Sequence, residues 1–152
     1  MAKSEYSEAQ QQADLIDWCN SLCSYPQFKD LELIYHCPNG GSRNEKEAAN
    51  LKRQGVKAGV PDLFLPVARG GYFGLYIELK VGKNKATENQ KEWITKLRQQ
   101  GYACWVIHSA KAAQDCLSQY INFPPTTVEG EQEKFERRFY LDNKKSTSSK
   151  RP

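Results

Sequence analysis

No run of apolar residues in this chain comes near the roughly 20 that a helix needs to cross a bilayer, and 26% of its residues are charged. That excludes a membrane-spanning helix. Met1 to Gln12 is polar and carries acids, so the start is not expected to be a secretory leader. The five cysteines, Cys19, Cys23, Cys37, Cys104 and Cys116, are odd in number and contain no C-x-x-C pair, which excludes a disulfide scaffold and leaves a reducing cytoplasm as the expected setting. Cys19, Cys23, His36 and Cys37 lack zinc-module spacing, and Cys19 and Cys23 stand at helical spacing, where small core residues are expected. The glycine-rich Pro38-Asn39-Gly40-Gly41-Ser42 stretch has no G-x-x-x-x-G-K-[ST] pattern, so it is no phosphate-cradling P-loop. It reads as a turn, with Asn39 and Arg43 shaping it. No internal repeat is visible, and 152 residues suit one domain with a single core.

What the chain does have is an uneven charge distribution. The formal net charge is +4, yet residues 1–39 carry 2 basic and 6 acidic groups while residues 40–111 carry 13 and 6. The middle segment is therefore strongly basic. Lys52, Arg53 and Lys57 precede its most apolar stretch and Lys83 and Lys85 follow it, an arrangement that suits a phosphate backbone, with nucleic acid the natural polyanion. A solvated basic face explains the charge alone equally well.

That apolar stretch, from Gly59 to Lys85, puts ionisable residues where a strand pattern demands apolar ones. Val60 to Val67 and Phe73 to Val81 are rich in β-branched, aromatic and aliphatic residues around Arg69-Gly70-Gly71-Tyr72, which predicts a β-hairpin. Alternation sets Leu63, Leu65 and Val67 against Asp62 and Phe64 in the first strand, and Leu75, Ile77, Leu79 and Val81 against Tyr76, Glu78 and Lys80 in the second. Opposing Asp62 to Glu78 centres the turn on Gly70 and requires an odd loop or a bulge. Two carboxylates that close repel unless a cation lies between them. Carboxylate oxygens beside one ammonium suit Mg²⁺, with Mn²⁺ able to substitute, better than zinc. Because it relieves that repulsion, Asp62→Asn is expected to melt no lower than the natural protein in metal-free buffer.

The surrounding elements follow from caps and periodicity. Ser7-x-x-Gln10 opens a helix to Leu22 with Glu8, Gln12, Leu15, Cys19 and Leu22 on one stripe. Leu31 to Cys37 reads as a short strand, and a helix from about Asn44 to Gln54 is stopped by Gly55. Thr87-x-x-Gln90 is a capping box for a helix ending at Gly101, with Gln90 on its inward face. Tyr102 to His108 is an almost continuous apolar run, read as an interior strand covered on both faces, with His108 a strand-end residue. Ser109 caps a last helix through Tyr120. A domain over residues 1–121 and a C-terminal extension over 122–152, largely a flexible basic tail, complete the division. The element order predicts an α/β fold whose mixed central sheet is flanked by helices.

The segments GVKAGVPDLFLPV and LYIELKVGKNKATENQKEWITKLRQQGYACWVIHS, in this order and spacing, resemble the VRR-NUC branch of the PD-(D/E)XK nuclease superfamily. The likeness runs from about Glu8 to Ala113, with G-V-P-D and I-E-L-K its most specific pieces. It implies a restriction-endonuclease-like core with a β-hairpin active site. It also implies a metal-dependent DNA endonuclease with Asp62 and Glu78 as metal ligands and Lys80 as the catalytic lysine. A ligand from the first helix falls on Glu8, and a site glutamine falls on Gln90. Some members of the family act as homodimers on branched DNA such as four-way (Holliday) junctions. On that reading Asp62, Glu78, the Leu79 carbonyl and Glu8 hold Mg²⁺, and Lys80 orients the nucleophile or stabilises charge on the phosphoryl oxygens. The alternative is a non-enzymatic DNA-binding module that uses the basic central segment, for which facing carboxylates serve no purpose.

Overall fold

A computed structural model describes residues 7–39 and 45–127. Gly40 to Asn44, including Arg43, and residues 128–152, with Phe135, Phe139, Tyr140 and the Lys/Ser tail, lie outside the described residues. The elements in order are α1 (Glu8–Leu22), a 3-10 helix (Pro26–Leu33), β1 (Tyr35–His36), α2 (Glu45–Arg53), β2 (Leu63–Leu65), β3 (Leu75–Leu79), α3 (Glu88–Gln99), β4 (Ala103–Ile107) and α4 (Ala110–Ile121). The four strands form one mixed sheet in the order β1-β2-β3-β4. Its first two pairings are antiparallel, and β3 lies parallel to β4 across the α3 crossover. The expected α/β fold with a mixed sheet flanked by helices is what the chain forms.

The core lies on one face of the sheet. Leu63, Leu65, Leu75, Ile77 and Leu79 are at most 1% exposed and pack against Leu15 and Cys19 of α1, Leu31 of the 3-10 helix, and Leu117 and Tyr120 of α4. The stripe read from the sequence thus buries Leu15 and Cys19, but Gln11 replaces Gln12 as the buried polar residue of α1, its Oε1 accepting the Ala110 N–H at 2.9 Å. Only half of the capping box at α1 forms. Ser7 accepts from the Gln10 N–H, while the Gln10 side chain donates to Asp14. A buried Tyr120 hydroxyl donates to the Val67 carbonyl at 2.7 Å, and Arg69 joins Asp30 at 2.6 Å and the Ile121 carbonyl at 3.3 Å. These bonds fasten the hairpin to the helical layer.

Three sequence expectations change. Leu31 to Leu33 belong to a 3-10 helix rather than a strand, which shrinks β1 to Tyr35–His36; Pro26 at the helix start presets φ there. The hairpin strands are shorter than Val60–Val67 and Phe73–Val81 because Pro61 and Pro66 have no N–H for a ladder, and the Val67 N–H turns back to the Leu65 carbonyl at 2.9 Å. The pairing Leu63 with Ile77 and Leu65 with Leu75 centres on Gly70 as read. The tight turn itself pairs Arg69 with Tyr72, about half a residue later, around Gly70 and Gly71 at φ +59° and +87°. That offset is the expected irregularity, and it is absorbed at Pro66 and Val67.

The third change concerns β4. It is an edge strand, and Trp105 at its centre is 50% exposed, so the apolar run is not covered on both sides among the described residues. A continuous apolar run reports only that much of a strand is dry, and here Arg98 takes part of the covering role. Its guanidinium lies 5.9 Å from the Trp105 ring centroid and donates to the Cys104 carbonyl at 2.6 Å. Past α4 the chain returns to the hairpin turn. The Gly70 N–H donates to the Pro124 carbonyl at 2.8 Å, the Thr126 N–H to the Ala68 carbonyl, and the Gly71 N–H to Thr126 Oγ1 at 3.0 Å.

Candidate active site

The polar cluster forms on the sheet face opposite the core. Glu78, which follows Ile77 as Asp62 precedes its partner Leu63, is 0% exposed although it is an ionisable residue, and Lys80 is 8% exposed. Strand alternation forces both to the same side as Asp62, while the apolar faces of β2 and β3 commit their backbone to the core. A buried charge of this kind persists only when paired. Lys80 Nζ lies 2.8 Å from Glu78 Oε1 and 3.9 Å from Glu8 Oε2. The first turn of α1 reaches the strand end because the Leu15 and Cys19 stripe seats the helix on the sheet.

From the other side, Gln90 of α3 donates through Nε2 to the same Glu78 oxygen. Its Oε1 accepts the Thr87 N–H at 2.8 Å, which completes the capping box read from Thr87-x-x-Gln90. Asp62 is held just as firmly. Its Oδ2 accepts the Leu79 N–H at 2.8 Å, and its Oδ1 accepts from Asn39 Nδ2 at 3.2 Å. Asn39 also donates to the Val60 carbonyl at 3.0 Å, so it staples the Gly59-Val60-Pro61-Asp62 segment to the end of β1. Sequence reasoning assigned Asn39 to turn-making and missed this contact. Its position one residue past Pro38 was the only signal, and no local pattern joins it to a residue 23 positions away. The Asp62 carbonyl receives the Cys37 N–H at 2.8 Å and His36 Nδ1 at 2.8 Å. Gly59 holds φ +88°, and a Cβ there would come within 2.7 Å of Asn89, whose Nδ2 donates to the Ala58 carbonyl at 3.0 Å. The segment before Asp62 is thus pressed against the start of α3.

Electrostatics follow from this crowding. Burial pushes Glu78 up to about 7; the Lys80 hydrogen bond works against that shift, and the Asp62 and Glu8 charges work with it. Burial alone would lower Lys80, yet its bond to Glu78 and the charges of Glu78, Glu8 and Asp62 hold it above its ordinary value. The raised Lys80 and the smaller Asp62 and Glu8 contributions at Glu78 point the same way: carboxylates outnumber the one ammonium here. Cys37 is driven up to about 11 by burial and by Asp62, which keeps it a neutral thiol beside the carboxylates.

Glu78 Oε2 is buried and accepts no hydrogen bond from the described residues. An unsatisfied buried carboxylate oxygen is costly, and the carboxylate oxygens of Glu78, Asp62 and Glu8 are donors of the hard kind that Mg²⁺ and Mn²⁺ prefer. The residues fit such an ion in chemistry. Among the described residues, though, no three His, Cys, Asp or Glu groups stand close enough together to hold one unaided. Asp62 and Glu78 instead spend three of their four oxygens on protein donors.

The structure therefore gathers Asp62, Glu78, Leu79, Lys80, Glu8 and Gln90 in one place. An open cleft of about 910 Å³ beside them is lined by Ser7, Glu8, Val81, Gly82, Lys83 and Asn84, which brings Lys83 to the rim. The turn carrying Lys83 is braced by His108, whose Nδ1 lies 3.2 Å from the Gly82 carbonyl, the strand-end role read for it. Lys52 and Arg53 are exposed on α2, which buries none of its residues. Lys57 and Lys85 are exposed on either side of the hairpin, and no described contact joins any of these four to the carboxylates.

This arrangement can be compared with known proteins. The family model described as the VRR-NUC domain matches residues 4–111. A solved structure described as a VRR_NUC domain protein shares 36% sequence identity and superposes with a TM-score of 0.64 over 78% of this chain and 90% of its own. No curated protein matches. With the family model covering most of the chain and the sheet and hairpin arranged as described, the protein belongs to the VRR-NUC domain family, a family of nuclease domains.

Proposed function

We propose that the protein is a divalent-metal-dependent endonuclease that hydrolyses DNA phosphodiester bonds at the Asp62, Glu78 and Lys80 cluster. The observation that carries this reading is Glu78 itself. It is fully buried, has one oxygen unsatisfied, and is tied through the other to Lys80 and Gln90. A module that only bound DNA would gain nothing from burying a carboxylate at that cost.

Asp62, Glu78 and the Leu79 carbonyl, with Glu8 completing the set, are the groups that would hold Mg²⁺ or Mn²⁺. The bound ion would supply positive charge at the phosphoryl oxygens and a more acidic water. The chain's own residues do the rest. Lys80, held between Glu78 and Glu8, presents an ammonium to the attacking water or to the charge that builds on the phosphoryl group. Gln90 prevents Glu78 from rotating away. Lys83, at the cleft rim, offers a counter-charge to the flanking phosphate, and Lys52, Arg53, Lys57 and Lys85 extend that field at longer range.

Incubation of the purified protein with linear, nicked, flap and four-way DNA in Mg²⁺ tests the reading. Cleavage that EDTA and Glu78→Gln each abolish, with DNA retention at low salt intact, is the expected result. Retention with no cleavage of any substrate would leave a binding module.

A further inference from the structure

Away from the carboxylates, the same sheet face continues as aromatic rings. Phe64 stands two residues from Asp62 and Tyr76 two residues from Glu78, about 7 Å along each strand and on the same side. Their rings stack with centroids 4.2 Å apart at 15°. Tyr35 meets Phe64 edge-on at 5.8 Å, and Tyr102 stands edge-on to Phe64 at 5.7 Å and to Tyr76 at 5.5 Å. Phe73 follows, 6.4 Å from Tyr102. These rings are not a second core: Tyr35 is 51% and Phe73 48% exposed, and Phe64, Tyr76 and Tyr102 are only half-buried. Beyond Tyr102 the sheet edge opens into a pocket of about 440 Å³ lined by Tyr72, Arg98, Tyr102, Cys104 and Trp105, where the Arg98 guanidinium approaches the Trp105 ring.

The choice of occupant follows from continuity and charge. The rings adjoin a site for a phosphodiester, and Arg98 lines the pocket beside Tyr102 at the sheet edge, so the partner that reaches the carboxylates brings nucleobases along. In a duplex the base faces are already stacked on one another, and only unpaired nucleotides offer them to aromatic side chains. We propose that the Tyr35, Phe64, Tyr76 and Tyr102 face, with the Arg98 and Trp105 pocket at its end, is a stacking platform for unpaired nucleotides next to the scissile phosphate. The substrate class is then DNA with a single-stranded arm rather than uninterrupted duplex. The inference rests on the nuclease reading above for its scissile phosphate, but the platform is tested by binding alone.

The test is fluorescence anisotropy in EDTA with the full chain and three labelled probes: a duplex with a short oligothymidine arm, the same duplex with an abasic arm, and a blunt duplex. The thymidine arm is expected to bind at least about tenfold more tightly than the abasic arm, since each stacked base contributes about fivefold or more. Tyr35→Leu combined with Tyr102→Leu, which keeps apolar volume and removes the rings, is expected to shrink that preference to about twofold. Equal affinity of the natural chain for the two arms would overturn the proposal, whether the face is then covered by another part of the chain or by another protein. If the double variant fails to fold, 2-aminopurine in the arm serves with the natural chain: quenching on binding is expected, and unchanged fluorescence would overturn the platform. Cleavage in Mg²⁺ separates the two readings. Arm preference without cleavage of any substrate sinks the nuclease reading alone, whereas cleavage without arm preference sinks the platform alone.

Discussion

Gln90 donates to Oε1 of Glu78 with one end of its amide while the other end accepts the Thr87 N–H, so a single side chain caps α3 and holds the buried carboxylate in place. The two duties separate by substitution. Gln90→Ala loses both and should cost about 1 kcal/mol of stability together with about tenfold in cleavage rate. Gln90→Glu retains an acceptor for Thr87 but has no donor for Glu78. It also sets a second carboxylate against Glu78, so it should melt lower than the natural protein in metal-free buffer at neutral pH and cleave at least about tenfold more slowly, a barrier increase of about 1.4 kcal/mol. Natural kinetics in Gln90→Glu would reduce Gln90 to a helix cap.

Glu78 makes stability depend on pH in metal-free buffer. Its folded pKa of about 7 lies above the ordinary value of 4.5, chiefly because it is buried. The stability it contributes is therefore fully present below about 4.5 and is lost as pH rises through about 7. Thermal melts in EDTA should show Tm falling across that window, and Glu78→Gln, which does not titrate, should flatten the fall. Parallel Tm curves for the two proteins would show that Glu78 is not the group responsible.

Asp62→Asn should destabilise the protein, the reverse of what the sequence suggested. Asp62 accepts from both the Leu79 N–H and Asn39. An amide can satisfy only one of these donors and turns its own NH₂ toward the other, at a cost of about 1 to 3 kcal/mol. Urea unfolding in EDTA measures this, and a midpoint equal to that of the natural protein would show that these hydrogen bonds contribute nothing.

Mg²⁺ or Mn²⁺ bound only to the folded chain should raise Tm with concentration by mass action, and more weakly in Glu8→Gln. The same variant should cleave about tenfold more slowly at limiting metal and recover in part with added Mn²⁺. Glu8 lies 3.9 Å from Lys80, so a second readout is needed to exclude a mere change in that ion pair. Isothermal titration with Mn²⁺ provides it, and an unchanged isotherm in Glu8→Gln would remove Glu8 from the ligand set.

Gly59→Ala probes how the site is positioned. The residue sits at φ +88°, and its new Cβ would meet Asn89 at 2.7 Å. Strain of about 1 to 3 kcal/mol and a slower enzyme are expected together, since Gly59 sets the path into Asp62. A full rate with lowered stability would show that the path tolerates the shift.

Much of this site was legible in the sequence because the decisive rules are local. Alternation alone put Asp62, Glu78 and Lys80 on one face, the matching index of Asp62 and Glu78 set their register, and Thr87-x-x-Gln90 announced a cap whose glutamine faced inward. Helical spacing carried Glu8 toward the strand ends along the stripe of Leu15 and Cys19. The edge position of β4, the 3-10 helix at Pro26–Leu33 and the contact of Asn39 with Asp62 were decided only by tertiary structure. An apolar run looks the same whether a neighbour covers one side or both. A hydrogen bond between residues 23 positions apart depends on how two loops meet. Burial is the last such quantity: the sequence placed Glu78 beside Lys80, but only the packing of sheet and α3 removed it from water, and that desolvation shifts its proton affinity.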